Sequence, residues 1–263
     1  MKISIIGAGN TAWNLSRALY NAHHQIEWIS NRTLENAKEL AGVVGAKASS
    51  TIEGQDWGNT ELILICTRDD GYQQVANQLR TTIPVAHTSG SVSMEILKGC
   101  SSHIGVFYPL QSMLKYRLTD FSMVPFCIEA NTGDFQDLLS NLARQLSDKV
   151  YSINSEERKK LHLSAIFSSN FSNFLYILSK DFLVKNGLPA HILDPLILET
   201  SVRIENRDPS LLQTGPAKRG DYSIIRKHLD MLDDNPIMRD VYKLMSQRIL
   251  EYYNHNSIEI EKL

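Results

Sequence analysis

The sequence predicts an α/β chain in which an N-terminal, mostly parallel sheet is followed by an all-α C-terminal domain. Three observations carry that expectation. A strand-like run, Lys2–Ile6, leads into the glycine turn Gly7-Ala8-Gly9-Asn10-Thr11-Ala12 and a helical run to about Tyr20. Short apolar runs rich in β-branched residues then recur between helical stretches as far as Ile153, as in a parallel sheet covered on both faces. From Asn154 on, the alternation stops and helical periodicity takes over. The expected boundary therefore separates residues 1–153 from residues 154–263.

The glycine turn has the spacing of a dinucleotide site. Gly7 lets the chain leave the strand sharply, Gly9 puts no Cβ between backbone and a pyrophosphate, and Ala12 is small enough for the helix to pack on the sheet. Ala8, Gly9, Asn10 and Thr11 would then offer unpaired N–H groups at the positive end of a helix dipole. A second strand ends near Ser30-Asn31-Arg32, where such folds read the ribose. An NAD or flavin site places Asp or Glu there, but this chain has Asn31, Arg32 and Thr33 and no carboxylate before Glu35. A guanidinium flanked by amide and hydroxyl donors suits a phosphate dianion, so the expected cofactor is NADP(H). The competing readings are a ligand-free βα turn and a solvated Arg32.

Further along, Leu34–Val43 reads as a helix with Thr33 as its N-cap and with Gly42 and Gly45 closing it, followed by a short strand near Ala46–Ser49. Glu61–Cys66 reads as a fully buried strand running into Thr67-Arg68-Asp69-Asp70. Its C-terminal end belongs to the ligand-facing edge of the sheet, which adds Cys66, Thr67 and Arg68 to the cofactor candidates. Arg68 could stack on adenine, pair with phosphate or be a plain surface charge. Val85–His87 and His103–Tyr108 are the next strands. They deliver Thr88-Ser89-Gly90-Ser91 and Pro109-Leu110-Gln111-Ser112 to that same edge, with Ser89 expected to reach the cofactor. Phe126–Ala130, a helix over Gly133–Ser147 and Val150–Ile153 complete the domain.

In the second half, Ser155 is the expected N-cap of a helix running to Asn186-Gly187. At about 100° per residue, His162, Ser169 and Asn173 fall within roughly 20° of one line, with Asn170 beside it, while Leu163, Phe167, Phe171, Phe174 and Leu178 occupy the other side. Such a polar stripe is either paired inside a core or lines a wet pocket. His191–Glu205 and Pro236–Tyr253 read as further helices. Between them a turn-rich loop presents Arg219 before a helix carrying Ser223 and His228. Arg219 is either solvated or a bidentate anion clamp, and Asp221 is a plausible N-cap.

The composition is that of a globular protein: 43% hydrophobic, 21% charged, with a net charge of −2 and no basic patch. Nucleic acid and anionic membrane surfaces are therefore not expected partners. Met1-Lys2 leads straight into a strand and no run approaches a membrane span, so a cytoplasmic location is expected. Cys66, Cys100 and Cys127 lack CxxC spacing, which predicts buried reduced thiols, with no disulfide and no metal site.

Together, Gly7–Ala12, Asn31-Arg32-Thr33, His87–Gly90, Tyr108–Ser112, the segment from His162 to Phe171, and Gly215–Asp221 followed by His228 resemble a known family. It comprises the NADP-type Rossmann oxidoreductases related to pyrroline-5-carboxylate reductase and 6-phosphogluconate dehydrogenase, in the branch with an uncharacterised helical C-terminal domain. The resemblance implies an NADP(H) oxidoreductase acting on a small molecule, a homodimer formed through the helical domain, and His162, Arg219 and Asp221 as cleft residues. Two departures stand out. Tyr108 occupies a position where the family more often has histidine, and the polar stripe lacks the catalytic lysine of the related hydroxyacid dehydrogenases, with Asn170 as the candidate match for their asparagine. His162 is then the candidate proton donor, because an imidazole titrates near neutrality. Asn170 would hold a carbonyl or imine, and Arg219 an anionic group. The competing expectations are a cofactor-binding sensor or scaffold without catalysis, and hydride exchange with a deazaflavin such as coenzyme F420.

Overall fold

The computed structural model describes residues 1–205 and 207–255. It forms two compact units, Met1–Phe171 and the residues from Ser172 on. In the first, an eight-stranded sheet is built from β1 (Lys2–Ile6), β2 (Gln25–Ser30), β3 (Lys47–Ser49), β4 (Leu62–Ile65), β5 (Val85–His87), β6 (Ile104–Pro109), β7 (Phe126–Ala130) and β8 (Val150–Ser152). The spatial order is β3-β2-β1-β4-β5-β6-β7-β8. Neighbouring strands run parallel except β6 and β7, which pair antiparallel with Tyr108 opposite Cys127.

The period of two in strand side chains explains how the sheet is covered on both faces. Ile3, Ile5, Leu62 and Leu64 point into one cluster, shared with α1 (Asn10–Asn21), α2 (Leu34–Val44) and α4 (Gly133–Arg144). Ile6, Ile63 and Ile65 point into the other, shared with α3 (Tyr72–Gln78). Because β4 is buried along its whole length, its sequence is an unbroken apolar run. The order reverses between β1 and β4, which opens the crevice in which such sheets bind ligands. Gly7 and Cys66 stand at its two lips.

Several boundaries differ from the sequence expectation. β2 ends at Ser30, so Asn31 and Arg32 lie in the following loop. Thr33 is at the N-cap position of α2, but its hydroxyl makes no capping bond, and Gly42 lies inside the helix, which Gly45 closes at φ +68°. In α5 (Ser155–Ala165) the N-cap is Asn154, not Ser155. The Asn154 side chain accepts from the Glu156 and Glu157 N–H groups while the Glu157 carboxylate takes the Asn154 N–H, a complete capping box.

The helix begun at Ser155 does not continue uniformly to Asn186. A π-helical segment, Ile166–Phe171, separates α5 from α6 (Ser172–Lys185). The Ser164 and Ser168 hydroxyls donate to the carbonyls four residues back, a bonding that bends helices. A π turn also invalidates the 100° step, so the predicted alignment of His162, Ser169 and Asn173 does not follow.

The alternation of strands and helices ends at Ser152, close to the expected residue 153, but α5 packs with the first unit. The chain therefore divides into its compact units after Phe171. The second unit contains α7 (Asp194–Arg203), α8 (Pro209–Leu212), α9 (Pro216–Arg219), α10 (Tyr222–Asp230) and α11 (Pro236–Tyr252). Its described core is small: Ala217, Ile225, Leu229 and Leu250. No described helix is long and apolar enough to cross a membrane. Cys66, Cys100 and Cys127 are free and buried.

Candidate functional site

The glycine turn is built by two glycines with different reasons to be glycine. Gly7 has φ +124°, and a Cβ there would sit 2.2 Å from the Cys66 carbonyl oxygen. It also donates its N–H to the Ser30 carbonyl at 2.7 Å, so the turn is clamped between β2 and β4. Gly9 has an ordinary extended conformation, φ −82° and ψ −173°, and nothing lies within 4 Å of where its Cβ would be. The protein itself gives Gly9 no reason to lack a side chain. The first turn of α1 has no side-chain cap and no acidic residue. The protein therefore caps this first turn with no side chain and no charge, the arrangement that leaves room for a phosphate.

A cavity of about 480 Å³ opens from this turn. Of the predicted cofactor residues, Gly7, Ala8, Gly9, Asn31, Arg32, Thr33, Cys66, Thr67 and Arg68 all line it. Arg32 is exposed and makes no ion pair or hydrogen bond among the described residues, while Asn31 donates to the Thr33 carbonyl at 2.9 Å. The Thr67 hydroxyl is buried without a partner on the cavity wall. Arg68 pairs loosely with Asp70 at 3.5 Å, both side chains being mostly solvated. The Cys66 thiol is pushed up to about 12 by burial, so Cys66 contributes its backbone to the site and not a thiolate.

Sequence reasoning missed the wall formed by Asn36, Ile52, Gln74, Val75 and Gln78. Gln74 and Gln78 stand one turn apart on α3, and that spacing was the available signal.

Asn10, Thr11 and Ser89 do not line the cavity. The Asn10 side chain instead accepts the Lys115 N–H at 3.1 Å, holding the loop after β6 against α1. The Ser89 hydroxyl donates to Asp69 at 2.8 Å, and the Ser89 N–H donates to His87 Nδ1 at 3.1 Å. His87 is fully buried, and desolvation, reinforced by the Arg158 charge, lowers its pKa to about 3. It is a neutral core histidine.

On the same edge of the sheet, past β5 and β6, the structure brings together three predicted residues. His162 Nδ1 lies 3.3 Å from the Tyr108 hydroxyl. A Cβ on Gly90 would fall 2.6 Å from that His162 nitrogen and 2.7 Å from Tyr108 Cζ. The Gly90 backbone therefore touches both rings. Burial pushes the Tyr108 phenol up to about 12, so it keeps its proton throughout the neutral range. Asn170 is exposed in the π segment. In the second unit Arg219 is exposed at the end of α9, with no side-chain partner among the described residues. The Asp221 carboxylate is occupied as the N-cap of α10, accepting from the Ile224 N–H and the Ser223 hydroxyl. His228 Nδ1 meets the Tyr242 hydroxyl at 2.7 Å. Among the described residues no cluster of His, Cys, Asp or Glu could hold a metal ion.

Comparison with known proteins identifies the family. Residues 2–88 match the family described as NADP oxidoreductase, coenzyme F420-dependent, and residues 124–249 match a domain of unknown function (DUF2520). A candidate NADP oxidoreductase from Bacteroides fragilis is 38% identical, with 95% of this chain and 98% of that one covered and a TM-score of 0.88. The chain belongs to this NADP oxidoreductase family. A protein from Thermotoga maritima is 25% identical over 95% of this oxidoreductase and 99% of its own length, with a TM-score of 0.77. Pyrroline-5-carboxylate reductase from Streptococcus pyogenes, 16% identical over 95% and 98% of the two chains with a TM-score of 0.63, shares the fold of this oxidoreductase. No curated protein matches the chain.

Proposed function

We propose that this NADP oxidoreductase is a reductase that moves a hydride between NADP(H) and a small, anionic carbonyl or imine compound, and that it works as a homodimer. The observation that carries this reading is the Tyr108–His162 pair, seated at the C-terminal edge of the sheet that also bears the open phosphate turn.

The residues present fit the cofactor. Ala8–Thr11 would hold the pyrophosphate on backbone N–H groups, and Arg32 with Asn31 and Thr33 would bind the 2′-phosphate. The unpartnered Thr67 hydroxyl would gain an acceptor, and Arg68 would cover the adenine. When bound, the nicotinamide supplies the hydride. The proton for the substrate oxygen or nitrogen comes from the Tyr108–His162 pair, since reduction of a carbonyl or imine needs a donor at the heteroatom. Asn170 would hold that heteroatom, and Arg219, a planar fork without a partner of its own, would bind an anionic group. Asp221 acts indirectly, as the cap that follows Arg219.

Apolar side chains support the homodimer. Phe167 is 62% exposed in the first unit, and Leu196 61%, Leu198 66% and Leu211 81% in the second, large apolar side chains of the kind a subunit contact covers.

The neighbouring pyrroline-5-carboxylate reductase makes cyclic imines and keto acids the first substrates to screen, with NADPH oxidation as the readout. Turnover that falls about a hundred- to ten-thousandfold in His162→Gln supports the reading, that being the usual contribution of a positioned acid or base. Arg219→Lys should raise KM, because an ammonium cannot reproduce a planar fork. A second reading follows from the name of the matching family: hydride exchange with a deazaflavin. Its match covers the cofactor half, so a parallel assay with coenzyme F420 decides it. Tight NADPH binding with neither activity would favour the sensor.

A further inference from the structure

A fully buried and many-bonded arginine of the first unit has no place in the reading above. Arg158 is 0% exposed, and a fully buried arginine is rare unless every donor is used. Its Nε donates to the Ser89 carbonyl at 3.1 Å, and Nη2 donates to the Val92 carbonyl at 2.6 Å and to the Ser155 hydroxyl at 3.2 Å. Nη1 pairs with the Glu129 carboxylate on β7. Ser155 in turn donates to Glu129 at 2.7 Å and accepts the Met94 N–H at 3.0 Å. One guanidinium thus closes the segment from Ser89 to Met94 onto the first turns of α5 and anchors both to the sheet.

The carbonyls it grips flank Gly90, whose backbone touches His162 and Tyr108. His162 lies four residues after Arg158, on the same side of α5. The helix and the loop therefore meet twice: at Arg158, where they are bonded, and one turn later at His162, where they are in contact.

We propose that Arg158 is a positioning residue that sets the Tyr108–His162 hydrogen bond by fixing the Gly90 backbone between the Ser89 and Val92 carbonyls. It acts through the loop and does not touch the reacting atoms. Lysine cannot replace it, because a point charge on a flexible stem does not span acceptors arranged around a planar fork.

The proposal rests on His162 belonging to the site, but its test does not depend on turnover. Protein labelled with 3-fluorotyrosine is titrated with pH while the Tyr108 fluorine resonance, assigned by its loss in Tyr108→Phe, is followed. In the parent that resonance should shift with the protonation of His162, a step abolished in His162→Gln. In Arg158→Lys the step should be lost while NADPH binding, read by fluorescence, is retained. A parent without the step overturns the proposal, as does a folded Arg158→Lys that keeps it or that loses NADPH binding together with it. Should Arg158→Lys not fold, Glu129→Gln, which removes the counter-charge and keeps the shape, is read by the same criteria. If only the reductase reading fails, turnover is absent while the coupling remains, so the two failures are distinguishable.

Discussion

The two turn glycines permit a test that separates fold from cofactor binding. Gly7→Ala places a methyl 2.2 Å from the Cys66 oxygen at a backbone φ of +124°. Strain of about 1–3 kcal/mol for the φ adds to roughly 1–3 kcal/mol for overpacking, so this variant should lose about 2–6 kcal/mol of stability or fail to fold. Gly9→Ala places its methyl where nothing lies within 4 Å, at φ −82° and ψ −173°, which any residue adopts. Its stability should stay within about 0.5 kcal/mol of the parent, or rise by about 0.4–1 kcal/mol because the unfolded chain loses freedom.

For NADPH the ranking reverses. A methyl at Gly9 keeps the pyrophosphate from the first-turn N–H groups. The loss of one such charge-assisted bond is about 1.5–3 kcal/mol, or roughly ten- to a hundredfold in affinity. Urea unfolding and NADPH fluorescence titration on both variants measure the two quantities separately. A Gly9→Ala protein that binds NADPH as the parent does, or that is destabilised as much as Gly7→Ala, would refute the reasoning.

Three further outcomes are expected. Replacing Arg32 by Ala should weaken NADPH by about 1.5–3 kcal/mol and leave NADH unchanged, as paired titrations will show, and equal affinities in the parent would count against the phosphate reading. His87 has its folded pKa depressed to about 3 from an ordinary 6.5, so the unfolded chain takes up the proton first. Stability should be full above pH 6.5 and fall on acidification toward pH 3, by at most about 1.4 kcal/mol per pH unit. Urea midpoints at neutral and mildly acidic pH should therefore converge in His87→Asn once its own loss at neutral pH is subtracted. Finally, light scattering should give a dimer at micromolar concentration, and Leu198→Asp together with Leu211→Asp should shift it to monomer with NADPH binding intact.

The cofactor half was legible because its signals are local. A glycine turn, a strand before it and an arginine without a carboxylate beside it can be read within thirty-odd residues, and Gly7–Gly9 and Asn31–Thr33 do line the cavity. α3 was not legible, since Tyr72–Gln78 is short and mostly amide-bearing and buries just Tyr72, Val75 and Ala76. Arg158 was hidden for a different reason. It stands among Glu156, Glu157, Lys159 and Lys160, a run that reads as a solvated face, and its burial depends on Ser89, Val92 and Glu129, far away in sequence. The π segment escaped because helical arithmetic presupposes a constant step. Tyr108 and His162 were each singled out, but their contact required β6 and α5 to be placed.

The strand order has a consequence for assembly. After β4, each strand is added beside its predecessor in the chain, and on the other flank β2 joins β1 and β3 joins β2. The exception is β4, which must pass β2 and β3 to pair with β1. Closing that loop demands the largest entropy loss in building the parallel part of the sheet, and contacts of this kind limit how fast a chain folds. The same pairing sets Cys66 against Gly7 and so creates the crevice. A bound nucleotide would bridge the two strands joined by that closure, so its stabilisation is tied to the contact of longest sequence range in the parallel part of the sheet.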